Sequence, residues 1–305
     1  MPATTASREA FQTRVRLVER SKRFSGARFP IEFMRATDTG APPLARLVRD
    51  GPGGRGGEVR LKLYLCLTLL ATRSPYDIHG VNPWAWARAL GLRDPDKAGT
   101  RRINDALDWL RDAHFIELER HSDGKPTVML LSPAGDGGRY RDRSGPAFGN
   151  RYVSLPVGFW IWEWITTLSA TGVALLLVLL DLQGGYVEDD PPWIGGQDRK
   201  RYGLSEATWT RATEELTDTG LLTVRREWRG HVFDRPRLRN TYWIDKERLN
   251  HPPGEPLTPA EEEALLPPDL ATYFRDARQV LADRQAATSA FRAQTPRRRA
   301  SGTGR

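Results

Sequence analysis

A helical pattern that runs into a β-strand occurs twice in this chain, 106 residues apart. Residues 101–118, RRINDALDWLRDAHFIEL, align without gaps with residues 207–224, ATWTRATEELTDTGLLTV. The aligned apolar residues recur every three or four positions, which places them on one face of a helix. They are Ile103, Ala106 and Leu110 in the first copy and Trp209, Ala212 and Leu216 in the second. Chance similarity of two amphipathic helices is the alternative, but the elements predicted around both helices favour a repeated unit.

The residues around the first copy predict two more helices and a β-hairpin. Apolar residues nearly fill 58–71, as in a buried helix. NPWAWARALGL follows, with Asn82 as N-cap, Pro83 in the first turn and Gly91 at the end. After the third helix, FIELER and TVMLL flank HSDGK and predict two paired strands. Three helices and a hairpin within residues 58–132 are the winged-helix arrangement, a helix-turn-helix with an added wing.

The same order of elements is predicted for residues 151–250. RYVSLPVGFWIWEW predicts a strand and a short aromatic helix, and LSATGVALLLVLLD predicts a buried helix. IGGQDRKRYGL predicts a short helix or turn before the third helix at 205–219, and LLTVRREW and NTYWID predict the wing strands. The predicted fold class is therefore α+β and mainly helical, with two tandem winged helix-turn-helix domains and flexible basic termini.

The segments outside the two predicted domains are rich in arginine, glycine and proline, or continue as a helical extension. The predicted organisation is a basic N-terminal arm (1–28), mobile or partly helical; a lead-in and glycine-rich linker (29–57); the first domain (58–132); a linker (133–150); the second domain (151–250); a C-terminal helical extension (251–290); and a disordered basic tail (291–305). The apolar stripe of the extension has two possible roles, which are covering its own domain and pairing two protomers as a homodimer.

The charge balance favours a polyanionic partner. Lys and Arg number 46 against 38 Asp and Glu, which gives a net charge of +8 and suits nucleic acid or an acidic membrane surface. Residues 155–180 contain one charge, Glu163, over a length sufficient to cross a bilayer. Because TTLSATG interrupts this run, we predict a short aromatic element and a buried helix from Ser169 instead of a membrane span. The N-terminus lacks a secretory signal pattern, so a cytoplasmic protein, associated with nucleoid or plasmid, is expected.

The outer face of the third helix in a helix-turn-helix enters the DNA major groove. Arginine and asparagine make paired hydrogen bonds with guanine and adenine edges, and arginines on a wing can clamp the backbone or enter the minor groove. The predicted DNA contacts in the first domain are Arg101, Arg102, Asn104, Arg120 and Lys125. Those in the second domain are Arg199, Lys200, Arg201, Thr208, Thr210, Arg211, Arg225, Arg226, Arg229, Arg235, Arg237 and Arg239. A merely solvated face is the alternative, because acidic residues on both helices repel phosphate.

Sequence motifs of catalysis and of cofactor binding are missing. The five histidines lack the paired spacing of a metal site, and DGPGGRGG at 50–57 lacks the Gly-Lys-Ser/Thr ending of a phosphate-binding loop. Cys66 lies in the apolar run LYLCLTLL, which favours a buried thiol over a nucleophile. The acidic triplet at 188–190 is typical of a solvent-facing loop, with a cation site as the alternative. We therefore expect a non-enzymatic protein without cofactor, metal or small-molecule ligand.

The second half of the chain resembles the winged-helix region of plasmid replication initiators, the RepA-type and DnaD-like groups. The residues that carry the resemblance are YVSLPVGFW, LSATGVALLLVLLD, YGLSEATWTRATEELTDTGLLTVRRE and RNTYWID. The resemblance implies origin-DNA binding, with Thr208, Thr210 and Arg211 at recognition positions and the arginine-rich wing on the DNA backbone. The long arginine-rich insertion in the wing departs from the family pattern.

Double-stranded DNA is thus the predicted partner, and replication initiation at a plasmid or phage-type origin is the predicted role. A transcriptional regulator is the first alternative, although no ligand-sensing domain is evident in the sequence. A protein-interaction scaffold is the second, because winged helices can bind partners through apolar wings and tails. A salt series separates the scaffold from a DNA-binding protein, whose affinity for DNA falls steeply as the salt concentration rises.

Overall fold

The computed structural model describes residues 5–36, 40–49, 57–141, 151–230 and 235–294, with side chains described from 7 to 287. Within these ranges the protein is mixed α/β, about 52% helical, with small antiparallel sheets. The prediction of a mainly helical chain that also contains strands is confirmed at this level. The chain divides into two compact units, Met1–Pro256 and Leu257–Arg305.

The N-terminal segment of the first unit is folded and packed. Its elements are α1 (Thr5–Ser21), β1 (Ala27–Pro30), α2 (Ile31–Met34) and α3 (Pro43–Val48). Helix α1 buries Phe11, Val15 and Val18, which lie between its arginines at helical spacing. The segment predicted as a basic arm that is mobile or partly helical therefore holds a packed amphipathic helix.

The first copy of the repeat follows this segment. Its elements are α4 (Gly57–Leu70), β2 (Asp77–Ile78), α5 (Pro83–Ala89), α6 (Thr100–Asp112), β3 (Ile116–Glu119) and β4 (Thr127–Leu130). A single π-helical turn, Pro95–Gly99, precedes α6. The three strands form an antiparallel sheet in the order β2–β4–β3. These boundaries agree closely with the predicted helices and hairpin.

The second copy has a corresponding series of elements. They are β5 (Tyr152–Leu155), α7 (Gly158–Ile161), α8 (Trp164–Thr167), α9 (Ala170–Gln183), α10 (Gly196–Lys200), α11 (Glu206–Asp218), β6 (Leu222–Arg229) and β7 (Arg237–Ile244). Strands β6 and β7 pair as an antiparallel hairpin, from Leu222 opposite Ile244 to Arg229 opposite Arg237. A 3₁₀ turn, Glu247–Asn250, ends this copy.

The segment predicted as a lead-in and linker at 29–57 packs against both copies. Strand β1 pairs antiparallel with β5 of the second copy, with Phe29 opposite Val153. Helix α3 packs against both α4 and α9, the first helices of the two copies. Leu44 and Leu47 of α3 are fully buried in this arrangement. Burial of the apolar residues in FPIEFM and PPLARLV drives this packing.

The third helices of the two copies end with the same backbone geometry. His114 and Gly220, which are 106 residues apart, both have a left-handed backbone, with φ of 64° and 73°. The following residue donates its N–H to a carbonyl of the helix; these pairs are Phe115–Leu110 at 2.9 Å and Leu221–Leu216 at 3.0 Å. This Schellman-type cap satisfies helix carbonyls and directs the chain into the next strand. The alignment of the two sequences is therefore matched by the backbone geometry at the end of each third helix.

The aligned apolar stripes of α6 and α11 face the core, as predicted. Each of the six residues is at most 3% exposed: Ile103, Ala106, Leu110, Trp209, Ala212 and Leu216. Trp209 lies on the inner side of α11, where its ring centroid is 6.1 Å from that of Tyr242. The opposite side of each helix is thereby left facing solvent.

A buried polar network ties the N-terminal segment to α9. Asp181 of α9 accepts hydrogen bonds from Arg35 Nε at 2.6 Å and Arg35 Nη2 at 3.0 Å, and from the Tyr202 hydroxyl at 3.0 Å. The Asp181 side chain is 2% exposed. Burial and the neighbouring Asp181 carboxylate raise the pKa of Tyr202 to about 12. The carboxylate is thus held by three donors from two other segments.

The apolar run at 155–180 forms three helices instead of one span. Helices α7 and α8 and the two residues between them bury four aromatic side chains, Phe159, Trp160, Trp162 and Trp164, and α9 is buried along most of its length. Ser169 caps α9 by accepting a hydrogen bond from the N–H of Gly172 at 3.0 Å. This agrees with the predicted division at Ser169. Across the described ranges, every helix is too short or too polar to traverse a bilayer.

The second compact unit consists of α12 (Pro259–Leu265) and α13 (Pro268–Gln294). Thr258 and Glu261 form a capping box at the start of α12. Leu270 and Phe274 of the predicted apolar stripe are buried, whereas Val280 is 50% exposed. Helix α13 continues four residues beyond the predicted end of the extension, and the rest of the predicted disordered tail, 295–305, lies outside the described residues.

Candidate nucleic-acid interface

A cleft of about 1190 Å³ lies between the two copies. Its walls include Arg49 after α3, Glu58 in the first turn of α4, and Arg102 in the first turn of α6. The opposite wall contains Ser169 to Thr171 at the start of α9, and a set of residues in and before α11. The charged or hydroxyl-bearing members of that set are Lys200, Ser205, Thr208, Arg211 and Glu215. We call this feature the inter-copy cleft.

The two carboxylates in the inter-copy cleft are engaged by other groups of the protein. Glu58 accepts a hydrogen bond from Lys62 Nζ at 2.6 Å. Glu215 accepts hydrogen bonds from the backbone N–H and the hydroxyl of Ser169, both at 2.5 Å. Its negative charge therefore sits at the N-terminus of α9, where the helix dipole favours an anion.

The cations of the cleft have no such partner within the part of the chain that the structure describes. Arg49, Arg102, Lys200 and Arg211 are all exposed. Arg211 Nε donates only to the carbonyl of Ala207 in its own helix, at 3.3 Å. Since the carboxylates are paired and these cations are not, the cleft presents net positive charge to solvent.

The start of α11 is fixed by its cap and by the preceding turn. The Ser205 hydroxyl accepts a hydrogen bond from the N–H of Thr208 at 3.2 Å. Gly203 in the turn has φ +65°, and a Cβ there would lie 2.7 Å from Pro42 Cδ. Only glycine combines this backbone with such close contact to the segment before α3. The turn thereby aims the first residues of α11 into the cleft.

The predicted contact residues of α11 and its surroundings divide into two groups. Thr208 and Arg211 line the cleft, and Thr210 is exposed on the same helix. Lys200 also lines the cleft, and Arg201 is exposed, 3.7 Å from Asp198. Arg199 differs from the others, because it supports the interior. Its guanidinium lies 4.9 Å from the ring centroid of Trp209, and it donates to the Tyr242 hydroxyl at 2.9 Å.

Two of the predicted contact residues of the first copy are hydrogen-bonded to each other. Arg120 of the wing donates to Asn104 Oδ1 at 3.1 Å and to Asp108 Oδ2 at 2.9 Å. The side chain of Asn104 is therefore already engaged by the wing. Arg101 and Arg102 in the first turn of α6 are exposed, as is Lys125 in the hairpin turn. Arg102 alone of these residues lines the inter-copy cleft.

The arginines of the second wing lie on two faces, because side chains alternate along a strand. Tyr242 packs on Trp209 of α11, and its cross-strand neighbour Val224 shares that face. Arg226 lies two residues beyond Val224 and therefore also projects from the α11 side. The opposite face carries Arg225, Arg229, Arg237 and Arg239.

Two arginines on that opposite face are held by intramolecular contacts. Arg229 forms ion pairs with Glu227 at 2.6 Å and with Asp190. The guanidinium of Arg239 stacks 4.9 Å from the ring centroid of Trp193. Arg225, Arg235 and Arg237 are exposed and form no ion pair with other described residues. The wing thus offers fewer available cations than its sequence suggested.

Arg49 is the cleft residue that sequence reasoning missed. It follows α3, in the segment predicted to be a lead-in to the first domain. A signal for this helix was present, because PPLARLV places a proline in the first helical turn and apolar residues at helical spacing. Its position on the cleft depends on the packing of α3 between the two copies, which no local pattern predicts.

Two further features bear on the chemistry of the described residues, namely potential metal ligands and the single cysteine. Within the ranges that the structure covers, no cluster of three or more His, Cys, Asp or Glu residues could hold a metal ion. Cys66 is buried, which confirms the predicted buried thiol. Burial raises the pKa of this thiol to about 12, so the reactive thiolate is scarce near neutral pH.

No known protein family model matches the chain, and no curated protein matches it either.

Proposed function

We propose that the protein is a non-enzymatic DNA-binding protein in which two winged-helix modules hold double-stranded DNA, with one backbone strand in the inter-copy cleft. The observation that carries this proposal is the shared position of the two third helices. Arg102 of α6 and Thr208 and Arg211 of α11 line the same cleft. In a helix-turn-helix the N-terminal part of the third helix is the part that reaches base edges.

The element order of each copy supports the winged-helix assignment. In each copy three helices lead into two antiparallel strands, namely α4, α5 and α6 before β3 and β4, and α9, α10 and α11 before β6 and β7. A short turn separates α10 from α11. Gly203 at positive φ occupies that turn in the second copy. The resemblance of this copy to plasmid replication initiators favours origin DNA as the target. Selection of bound fragments from genomic and plasmid DNA separates an origin from a promoter by location.

The charge of the cleft supports a phosphate backbone as the bound group. Three of its unpaired cations are Arg49 directly after α3, Arg102 of α6 and Lys200 at the end of α10. Neutralising phosphates with such residues releases counterions from DNA, so the binding constant depends on salt. A protein-binding scaffold does not require this arrangement of cations.

A salt series with the full-length protein tests the proposal. We expect a labelled random-sequence duplex to bind, with log K falling against log salt at a slope of about −3 or steeper. The slope follows from at least three phosphate contacts in the cleft. Fluorescence anisotropy measures the binding. A protein that leaves the duplex unbound at the lowest salt, or binds it with a slope near zero, contradicts the proposal and favours a scaffold.

Replacement of Arg211 with alanine is expected to weaken binding to a selected preferred site more than binding to random DNA. A bidentate arginine–guanine contact contributes roughly 1–3 kcal/mol of discrimination, so the preferred site should lose about tenfold or more in affinity. Arg16→Ala, at an exposed position of α1 that does not line the cleft, is the control. Equal losses on both DNAs would exclude base reading by Arg211.

A further inference from the structure

The wing of the second copy carries an exposed apolar pair. Trp228 of β6 lies directly opposite Leu238 of β7 in the hairpin register. Trp228 is 72% exposed and Leu238 is 42% exposed. Unlike a single exposed apolar residue, two neighbouring ones form a continuous apolar patch, which can mark an interaction site. The pair is therefore a candidate contact surface.

The apolar pair projects from the same face of the hairpin as α11. Along β6, Trp228 follows Val224 by four residues, and along β7, Leu238 precedes Tyr242 by four. Even spacing keeps these side chains on one face. Tyr242 at the base of that face packs on Trp209 of α11. The exposed pair thus lies on the hairpin face that packs on α11, beyond the end of that contact.

Polar and cationic neighbours restrict what the apolar pair can bind. Arg226 and Asn240 face each other one step closer to the core, on the same face, and both are exposed. On the other face, the exposed Arg237 is next to Leu238, and the exposed Arg225 is next to Arg226. The acidic Glu227 is turned away and paired with Arg229. An apolar surface surrounded by cations complements an aromatic ligand attached to an anionic backbone.

We propose that Trp228 and Leu238 form a stacking platform for an unpaired base of a DNA strand held by the wing. The inference rests on the proposed function, because the rest of the module must bring DNA to the wing. Bases in intact duplex DNA have both faces covered by neighbours, so a protruding indole gains no stacking partner there. An unpaired nucleotide offers a free π-face of its base to Trp228 and a base edge to the Asn240 amide. Its phosphate can bind Arg226.

Two DNA probes of the same length and flanking sequence test the inference with the full-length protein. One probe is fully paired, and the other contains a short central bubble of unpaired thymidines. Wild-type protein is expected to bind the bubble about tenfold more tightly than the duplex, as expected for stacking of a base on an aromatic side chain. Trp228→Ala should remove this preference and change duplex affinity by less than about twofold. Trp228→Phe should retain most of it.

Trp84→Ala is the matched control, because Trp84 is 40% exposed on α5 of the other copy. It should leave both affinities unchanged. The stacking proposal is overturned if wild-type protein binds both probes equally, or if Trp228→Ala has no effect on either. Equal losses on both probes would overturn it in favour of a wedge in the duplex minor groove. Duplex binding with a steep salt slope but no bubble preference would refute the stacking platform alone, whereas failure to bind either probe would refute the proposed function as well.

Discussion

Simultaneous replacement of Arg49, Arg102 and Lys200 with glutamine is expected to weaken duplex-DNA binding roughly 500-fold at about 0.1 M salt. Each lost phosphate contact removes about 0.9 from the slope of log K against log salt, so the three changes flatten the slope by about 2.7. These residues come from three different elements but line one cleft. Anisotropy titrations across a salt series measure both the affinity and the slope.

A variant with the same change in net charge separates the cleft from general electrostatics. Arg16, Arg73 and Arg139 are exposed arginines outside the cleft, and no ion pair with another described residue holds them. Their joint replacement with glutamine should reduce affinity by less than about tenfold. If this control weakens binding as much as the cleft variant, net charge explains the binding and the cleft is not the interface.

Replacement of Asp181 with alanine is expected to lower the free energy of unfolding by about 3 kcal/mol. Asp181 is 2% exposed and accepts hydrogen bonds from Arg35 and Tyr202. Its removal leaves a guanidinium and a phenol without their acceptor. The value is at the lower end for a broken buried pair, because the Arg35 side chain is 33% exposed and retains some hydration. Urea denaturation followed by circular dichroism measures the change.

Two further variants establish the cause of this loss. The double variant Arg35→Met and Asp181→Leu should recover most of the stability, because apolar side chains of similar volume can replace a buried ion pair. Asp198→Ala removes an exposed carboxylate that lies 3.7 Å from Arg201, and should change stability by no more than about 0.5 kcal/mol. A loss below about 1 kcal/mol for Asp181→Ala would show that the network is not needed to hold α2 against α9.

The helices and their buried faces could be predicted because the information is local. Ile103, Leu110, Trp209 and Leu216 recur at the spacing of one helical face, and burial selects that face whatever it packs against. The C-terminal cap of α11 was also encoded locally, since Gly220 favours the left-handed backbone. The copy of this turn at His114 shows that neighbouring hydrogen bonds can impose it on another residue.

The candidate interface was only partly predictable, because a sequence does not show which charged side chains are engaged by other groups of the same protein. Arg229 and Arg239 belonged to the predicted wing contacts, yet one is paired with carboxylates and the other is stacked on Trp193. The alternation of side chains along β6 would have separated Arg226 from Arg229 once the face occupied by Val224 was known. The contact of α3 with both copies depends on tertiary packing and has no counterpart in local pattern.

The pairing of β1 with β5 determines whether either half of the protein can be isolated as a fragment. Strand β1, which precedes the first copy, is the sole partner of β5 in a two-stranded sheet of the described residues, and α3 packs against both α4 and α9. Neither half can therefore be excised as a self-sufficient fragment without exposing backbone donors and apolar side chains. The segment that precedes both copies is therefore expected to be required for the stability of each, because it packs against both.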